Sequence, residues 1–121
     1  MDRPLEEALG LIAGRTGLAE ILSDGPHNLF RSEVVCHSFD LRYTVHAPVA
    51  DINIASENEH LRRAVIRVIA DLTGICDRIG AERLVVHPGH IWGEEMRGSA
   101  QAALDRSLED LAAVQQEVNV R

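Results

Sequence analysis

The stretch Tyr43–Ser56, YTVHAPVADINIAS, begins like a buried strand and then turns abruptly after a histidine and a proline. Alternation of apolar and polar residues predicts a strand over Leu41–Ala47. The pattern returns in LVVHPGH, Leu84–His90. There the strand Glu82–Pro88 is almost wholly apolar in its middle, which is typical of a strand covered on both faces. Two strands that each end in histidine and a turn decide how the rest of the chain is interpreted.

A long helix is predicted between these two strands. Ser56 and Glu59 have the spacing of a capping box at its start, and Gly80 suits a left-handed cap at its end. Apolar residues recur at helical spacing over about six turns. They are Leu61, Ala64, Val65, Val68, Ile69, Leu72, Ile75, Cys76 and Ile79.

The other elements alternate in the same way. Before the two strands, the sequence predicts a helix over Leu5–Ile12 that stops at Gly14, a strand Gly17–Ser23 and a short helix Leu29–His37 with weaker support. After them it predicts a last helix and then the start of another strand at Val118–Arg121. The apolar residues of the last helix are Ala103, Leu104, Leu108, Leu111 and Ala112. Alternation of strands and helices predicts parallel βαβ units. Ligand sites in such α/β folds lie at the carboxyl ends of the strands.

Composition limits the function classes. The 121 residues are 45% hydrophobic, which predicts a single domain over 1–121, and the net charge of -7 disfavours a general nucleic-acid binder. Cys36 and Cys76 have neither metal-site nor redox spacing, and Cys76 is expected as a buried thiol in a reducing cytosol. No membrane span or signal peptide is found, so a cytoplasmic protein is expected. No Gly-x-Gly-x-x-Gly follows a strand, which disfavours a Rossmann-type nucleotide site.

His46 and His87 are the candidate metal ligands. His46 shares a strand face with Arg42 and Thr44, and His87 shares one with Val85, so both imidazoles are expected at one rim. Two imidazoles that converge there suit a divalent ion. The alternative is that each histidine caps its strand with a hydrogen bond to a loop carbonyl.

Polar residues near this rim are candidates for substrate binding. Glu20 has the parity of an inward-facing carboxylate, or is a solvated residue near an edge. Asp51 and Asn53 follow His46 and suit either a substrate hydroxyl or turn contacts to their own backbone, the turn role being favoured for Asn53. His90 reaches into the substrate space or is a loop residue.

The remaining histidines and the glutamates of the last loop carry no site prediction. His27 and His60 are expected on the surface, and no role is predicted for His37. Glu94 and Glu95 are expected only to start the last helical region.

The two motifs carry a family resemblance. VHAPVADINIAS, a long helix and GAERLVVHPGH resemble the xylose isomerase-like TIM-barrel superfamily, within it the sugar phosphate isomerases and epimerases and their relative endonuclease IV. PLEEALGLIA and GLAEIL resemble that family's first helix and second strand. The resemblance implies a (β/α)₈ barrel with one to three divalent ions, often zinc or manganese. His46 matches the histidine that ends the family's third strand, and His87 the one that ends its fourth.

The resemblance also implies that this chain is an incomplete barrel with about three of eight strands, apparently truncated at both ends, because a whole barrel needs about 250 residues. The family's first strand has no counterpart before Met1, and its later glutamate, aspartate and histidine ligands have none before Arg121. Unpaired strand edges suggest assembly, either as a homo-oligomer or with a complementary half-barrel chain.

Three functions remain open at this point. The leading one is a metal-dependent isomerase or epimerase that acts on a sugar or sugar phosphate. The second is an endonuclease IV-like zinc phosphodiesterase acting on abasic DNA, which the acidic charge and the lack of a basic or aromatic-rich loop disfavour. The third is a non-catalytic half-barrel that binds a partner chain.

Overall fold

One parallel sheet forms the centre of the fold in the computed structural model, which describes residues 2–15, 17–22 and 33–121. Its strands are β1 (Leu18–Leu22), β2 (Arg42–His46) and β3 (Ala81–Val85), in the order β1-β2-β3. Both pairings are parallel, with Leu22 beside His46 and His46 beside Val85. The predicted α/β class with three parallel strands is confirmed.

Helices connect these strands. They are α1 (Asp2–Ala13), α2 (Glu33–His37), α3 (Glu59–Ile79), a 3₁₀ turn (Glu94–Met96) that contains both predicted glutamates, and α4 (Arg97–Gln115). The first, long and last predicted helices are therefore confirmed. Ser23, His27 and the part of the Leu29–His37 prediction before Glu33 lie outside the described residues. None of the helices in the described ranges has the length and apolar content that a membrane crossing needs.

The aliphatic core lies between the helices and the outer face of the sheet. Tyr43 and Val45 of β2 are buried there against Leu72 and Cys76 of α3. Burying an aliphatic side chain of this size contributes about 1.5–3 kcal/mol. Desolvation raises the pKa of the Cys76 thiol to about 12, so it stays protonated, as expected for a buried structural cysteine.

The inner face of the sheet carries the polar residues. Glu20 is exposed, and Thr44 and His46 are half-buried, so the alternation predicted for β2 is confirmed. The prediction that β3 is covered on both faces is wrong within the described residues, since Val85 is 42% exposed. The described helices pack on the outer face only.

The N-cap of α3 differs from the prediction. Asn58 caps the helix, its side-chain oxygen accepting from the backbone N–H groups of His60 at 3.0 Å and Leu61 at 3.3 Å. The predicted capping box of Ser56 and Glu59 is wrong, because the Glu59 carboxylate accepts hydrogen bonds from arginines on its own helix instead. His60 is exposed, as expected.

The C-terminal end of α3 agrees with the prediction. Gly80 has φ of 76° and ends the helix in the left-handed conformation that glycine adopts without steric cost. His37, which had no predicted role, places its Nε2 at 2.8 Å from the carbonyl oxygen of Arg78. That contact satisfies one of the free carbonyls in the last turn of α3.

The face predicted for the last helix is confirmed at Ala103, Leu104 and Leu111, which are buried or partly buried, and is wrong at Leu108. Leu108 is 53% exposed, whereas Ala100, Ala103 and Ser107 are buried. The Ser107 hydroxyl donates to the Ile54 carbonyl at 2.6 Å, so a polar residue is satisfied in the interface with α3.

Residues after α4 return to the sheet. The Arg121 N–H donates to the Glu82 carbonyl at 2.9 Å, and the Leu84 N–H donates to the Arg121 carbonyl at 2.6 Å. These two bonds have the pattern of a parallel pairing on the side of β3 away from β2. They agree with the start of a further strand that was predicted for Val118–Arg121.

Candidate functional site

His46 occupies the last position of β2, with its half-buried ring on the inner face. Its Nδ1 lies 2.8 Å from the carbonyl oxygen of Ala47. Because a carbonyl can only accept, Nδ1 carries the proton, and the neutral ring then presents an unprotonated Nε2. A hydrogen bond of this kind orients a metal-ligating imidazole and raises its basicity.

His87 lies two residues beyond β3, which ends at Val85. The prediction that His87 is the last residue of its strand is therefore wrong, although the ladder does continue one step. The Ala47 N–H donates to the Val85 carbonyl at 2.8 Å and ties the two strand ends together. Beyond this bond the chain turns, and the exposed His87 ring extends over the end of β2.

The two imidazoles meet. His87 Nε2 is 3.1 Å from His46 Nε2, and the ring centroids are 4.9 Å apart at an interplanar angle of 53°. In the neutral, metal-free pair the His87 Nε2–H donates to the His46 nitrogen. The two interpretations that the sequence left open for His46, a cap to a loop carbonyl and a ligand, are compatible, since each uses a different ring nitrogen.

The pair fits a divalent ion. Two nitrogen ligands at about 2.0–2.1 Å from a tetrahedral zinc stand about 3.3 Å apart. The observed nitrogen separation of 3.1 Å is close to that value. Within the described part of the chain, no group of three or more histidine, cysteine, aspartate or glutamate side chains is close enough together to hold a metal. The described residues thus bring two imidazoles together without a third side chain of these types beside them.

Glu20 shares the inner face but does not join the histidines. In the β1–β2 register Glu20 pairs with Thr44, whereas Leu22 pairs with His46. The Glu20 side chain therefore leaves its strand two residues before the level of His46. The parity predicted for Glu20 is correct, and its role in substrate binding stays a prediction.

Asp51 lies in the loop after His46. It has φ of 59°, the left-handed conformation that aspartate tolerates in turns, and it is exposed. The turn role left open for Asp51 is compatible with this backbone. Asp51 also lines a groove of about 490 Å³ together with His90 and Trp92, so its predicted role in substrate binding remains a prediction.

His90 and Asn53 join the two loops. The Asn53 side chain bonds to the backbone N–H and the carbonyl of His90, both at 3.2 Å. The turn contact favoured for Asn53 is also present, since its side-chain oxygen accepts from the Ala55 N–H at 3.0 Å, whereas the bonds to His90 were not predicted. The His90 ring is exposed and meets the edge of Trp92, with centroids 4.9 Å apart.

Trp92 and Gly89 were not singled out from the sequence. Trp92 is 82% exposed on the loop that carries His87, and it is the single tryptophan of the chain. A Cβ at Gly89 would stand 2.3 Å from the Asn53 side-chain oxygen. A lone tryptophan and a Pro-Gly pair after a strand were the available signals.

Comparison with known proteins identifies the family. The xylose isomerase-like TIM barrel matches residues 27–121, so the chain belongs to that family. An uncharacterised protein of Methanocaldococcus jannaschii, MJ1614, is 30% identical over 122 residues, covering 99% of this chain and 49% of its own length. The family resemblance seen in the two histidine motifs is confirmed.

Solved structures show the same fold. A D-tagatose 3-epimerase-like protein superposes with a TM-score of 0.79 at 24% identity, over 93% of this chain and 45% of its own. The D-allulose 3-epimerase of a Methylomonas species, crystallised with D-allulose, gives 0.80 at 15% identity, over 100% of this chain and 44% of its own. The chain therefore spans about half the length of these relatives and has the fold of part of a barrel.

Proposed function

We propose that the protein is a metal-dependent isomerase or epimerase of a sugar or sugar phosphate, with His46 and His87 as metal ligands. The observation that carries this proposal is the 3.1 Å approach of the two Nε2 atoms across the ends of neighbouring parallel strands. This is the rim where ligand sites lie in parallel α/β folds. The family, and the sugar epimerases among the structural neighbours, support the same class of reaction.

A bound zinc or manganese ion would supply Lewis-acid polarisation of a carbonyl and hydroxyl on adjacent carbons. His46 and His87 would hold that ion, and the bond from His46 Nδ1 to Ala47 would keep the ring in the ligating tautomer. A carboxylate must then move a proton between the two carbons. Glu20 is the carboxylate on the inner face in the described residues of β1 and β2, and it starts two residues below the rim.

Substrate contacts are assigned to Glu20, Asp51 and His90. Asp51 and His90 line the same largely apolar groove, where a carboxylate and an imidazole can form hydrogen bonds with the hydroxyl groups of a sugar. Two imidazoles alone hold a divalent ion weakly, so the remaining ligands come from elsewhere. We infer that they come from a further part of the same protein, from a second copy or from a complementary half-barrel chain.

A cytosolic location is part of the proposal. Cys36 and Cys76 are both free and buried, which suits a reducing compartment. Burial raises the pKa of Cys36 to about 11, so this thiol is also held in its unreactive protonated form.

Zinc titration of the purified protein, followed by competition with a chromophoric chelator, tests the ligand assignment. At saturating zinc we expect about one ion per chain, and a loss of affinity in His46→Ala and in His87→Ala beyond the roughly 10–100-fold that loss of an outer-shell partner causes, because each variant removes a ligand itself. His60→Ala is the matched control, since this exposed histidine lies on α3 and should leave the affinity unchanged. Equal zinc uptake by the wild type and both ligand variants would contradict the assignment of His46 and His87 as metal ligands.

Activity assays separate the three functions. Epimerisation of ketohexoses and their phosphates, dependent on added zinc or manganese and lost in His46→Ala, supports the proposal. Cleavage of an abasic oligonucleotide without epimerisation would replace it with the phosphodiesterase. If both activities are absent when metal is bound and the other chain or second copy is present, the non-catalytic half-barrel is favoured.

A further inference from the structure

The Asn53 side chain links the two loops that follow the histidine-bearing strands. Its oxygen accepts from the Ala55 N–H at 3.0 Å and from the His90 N–H at 3.2 Å, and its amide nitrogen donates to the His90 carbonyl at 3.2 Å. Two of these hydrogen bonds hold the loop after β3 against the loop after β2, and the third, to Ala55, fixes the Asn53 side chain within its own loop.

Close packing at Gly89 belongs to the same contact. Gly89 has φ of 93°, where other residues are strained. A Cβ there would also stand 3.0 Å from the Ala55 backbone nitrogen, in addition to the clash with Asn53. The two loops thus approach so closely that only a glycine fits between them.

We propose that Asn53 is a positioning residue that fixes the bend His87–His90 and thereby holds the His87 imidazole opposite His46. The segment is fastened at one end by the β3 ladder, where Val85 accepts from Ala47, and at the other end by Asn53 at His90. Pro88 restricts the backbone between them. A short segment fastened at both ends leaves the His87 ring few orientations, whereas release at His90 frees it to turn to solvent.

This inference rests on the proposed function for its metal readout only, because the positioning of His87 by Asn53 concerns hydrogen bonds within the protein. Two measurements are therefore needed. One follows the ring nitrogens in metal-free protein, and the other follows zinc affinity.

The test compares Asn53→Ala with Asn58→Ala. Both asparagines accept hydrogen bonds from two backbone N–H groups, but Asn58 caps α3 and has no bond to the loop after β3. Both variants lose stability, so a purely structural role for Asn53 predicts the same result in both.

Imidazole ¹⁵N spectra of metal-free protein give the first readout. In the wild type and in Asn58→Ala we expect His46 in the Nδ1–H tautomer and His87 hydrogen-bonded through Nε2. In Asn53→Ala we expect the His87 signals to move to those of a solvated imidazole. Asn53→Asp retains both accepted bonds and loses the donated one, so it should give a smaller shift of the same kind if Asn53→Ala does not fold.

Zinc affinity gives the second readout. We expect it to fall about 10–100-fold in Asn53→Ala and to stay within a few-fold of wild type in Asn58→Ala, the loss that removal of an orienting partner typically causes. Gly89→Ala should cause a similar loss. In an Asn53→Ala background the loss caused by Gly89→Ala should be smaller, because the clash with the Asn53 oxygen is gone, whereas the strain at φ of 93° and the contact with Ala55 remain.

Wild-type ring signals and wild-type zinc affinity in Asn53→Ala would overturn the inference. An equal change in Asn53→Ala and Asn58→Ala would overturn it as well, because loss of stability would then account for both. If the wild type binds no zinc, the ligand proposal fails, and the ¹⁵N comparison still decides whether Asn53 positions His87.

Discussion

Two polar clusters in this protein, one around Arg62 and one formed by His46 and His87, differ in how far their hydrogen-bonding groups are buried. Arg62 of α3 is 4% exposed, and its guanidinium donates to Glu59, to Asp110 at 2.7 Å and to Ser107 at 3.2 Å. Ser107 in turn donates to the Ile54 carbonyl. The imidazoles of His46 and His87 instead meet at the open inner face of the sheet.

This difference in burial distinguishes a cluster that joins elements of the fold from a pair of side chains that is accessible to a ligand. Around Arg62 each guanidinium nitrogen donates to a protein acceptor, so these bonds join α3, α4 and the loop after β2 within the protein. In the histidine pair, Nδ1 of His46 is held by the Ala47 carbonyl, and the two Nε2 atoms of His46 and His87 face each other at the rim. Groups that are oriented but still accessible are the ones that can bind an ion.

The largest effect on stability is expected at Arg62. Arg62→Met removes charge-assisted hydrogen bonds in a buried interface and should lower the free energy of unfolding by about 2 kcal/mol. Urea denaturation measures this loss. Arg63→Met is the control, since Arg63 pairs with the same Glu59 from an exposed position, and it should cost about 0.5 kcal/mol or less. Equal losses in the two variants would remove the distinction between a closed cluster and ordinary surface pairs.

A smaller, pH-dependent effect is expected at Glu59. Hydrogen bonds from Arg62 and then Arg63 lower the pKa of Glu59 from 4.5 to about 2. Because the folded-state pKa is depressed, the stabilisation is present above pH 4.5 and is lost as pH falls towards 2. Thermal melting of wild type and Glu59→Gln should therefore differ at neutral pH and converge across that window. A constant difference down to pH 2 would mean that Glu59 does not titrate in this way.

The smallest effect on stability is expected at the histidine pair. His46→Ala removes a half-buried ring at the carboxyl end of β2 and should lower the free energy of unfolding by about 1 kcal/mol, less than Arg62→Met. The same variant should lose most of its zinc affinity. A destabilisation as large as that of Arg62→Met would show that the pair is a structural cluster like the other one.

The fold elements and the location of the site were largely predictable. Helical spacing in α3, alternation in β2 and the left-handed Gly80 depend on local sequence, and the structure agrees with each. The meeting of His46 and His87 followed from parallel strand ends, which share one edge of a sheet.

Other features could not be read from local patterns. Ser56 and Glu59 matched a capping box, yet Asn58 is the cap, because alternative polar residues near a helix start compete for the same N–H groups. Leu108 suggested the buried face of α4, yet Ser107 is buried because Ile54 supplies an acceptor from a loop that is 53 residues distant. Such partners are identified only when distant segments are packed together.

The sequence by itself determined the order of strands and helices, the inner parity of Glu20, Thr44 and His46, and the family. These properties depend on residue spacing and on short motifs. Tertiary structure alone decided that Arg62 is sealed between two helices and that Asn53 lies against Gly89 and His90. The reason is physical: hydrogen-bond satisfaction and steric fit depend on atoms that the chain brings together from positions far apart.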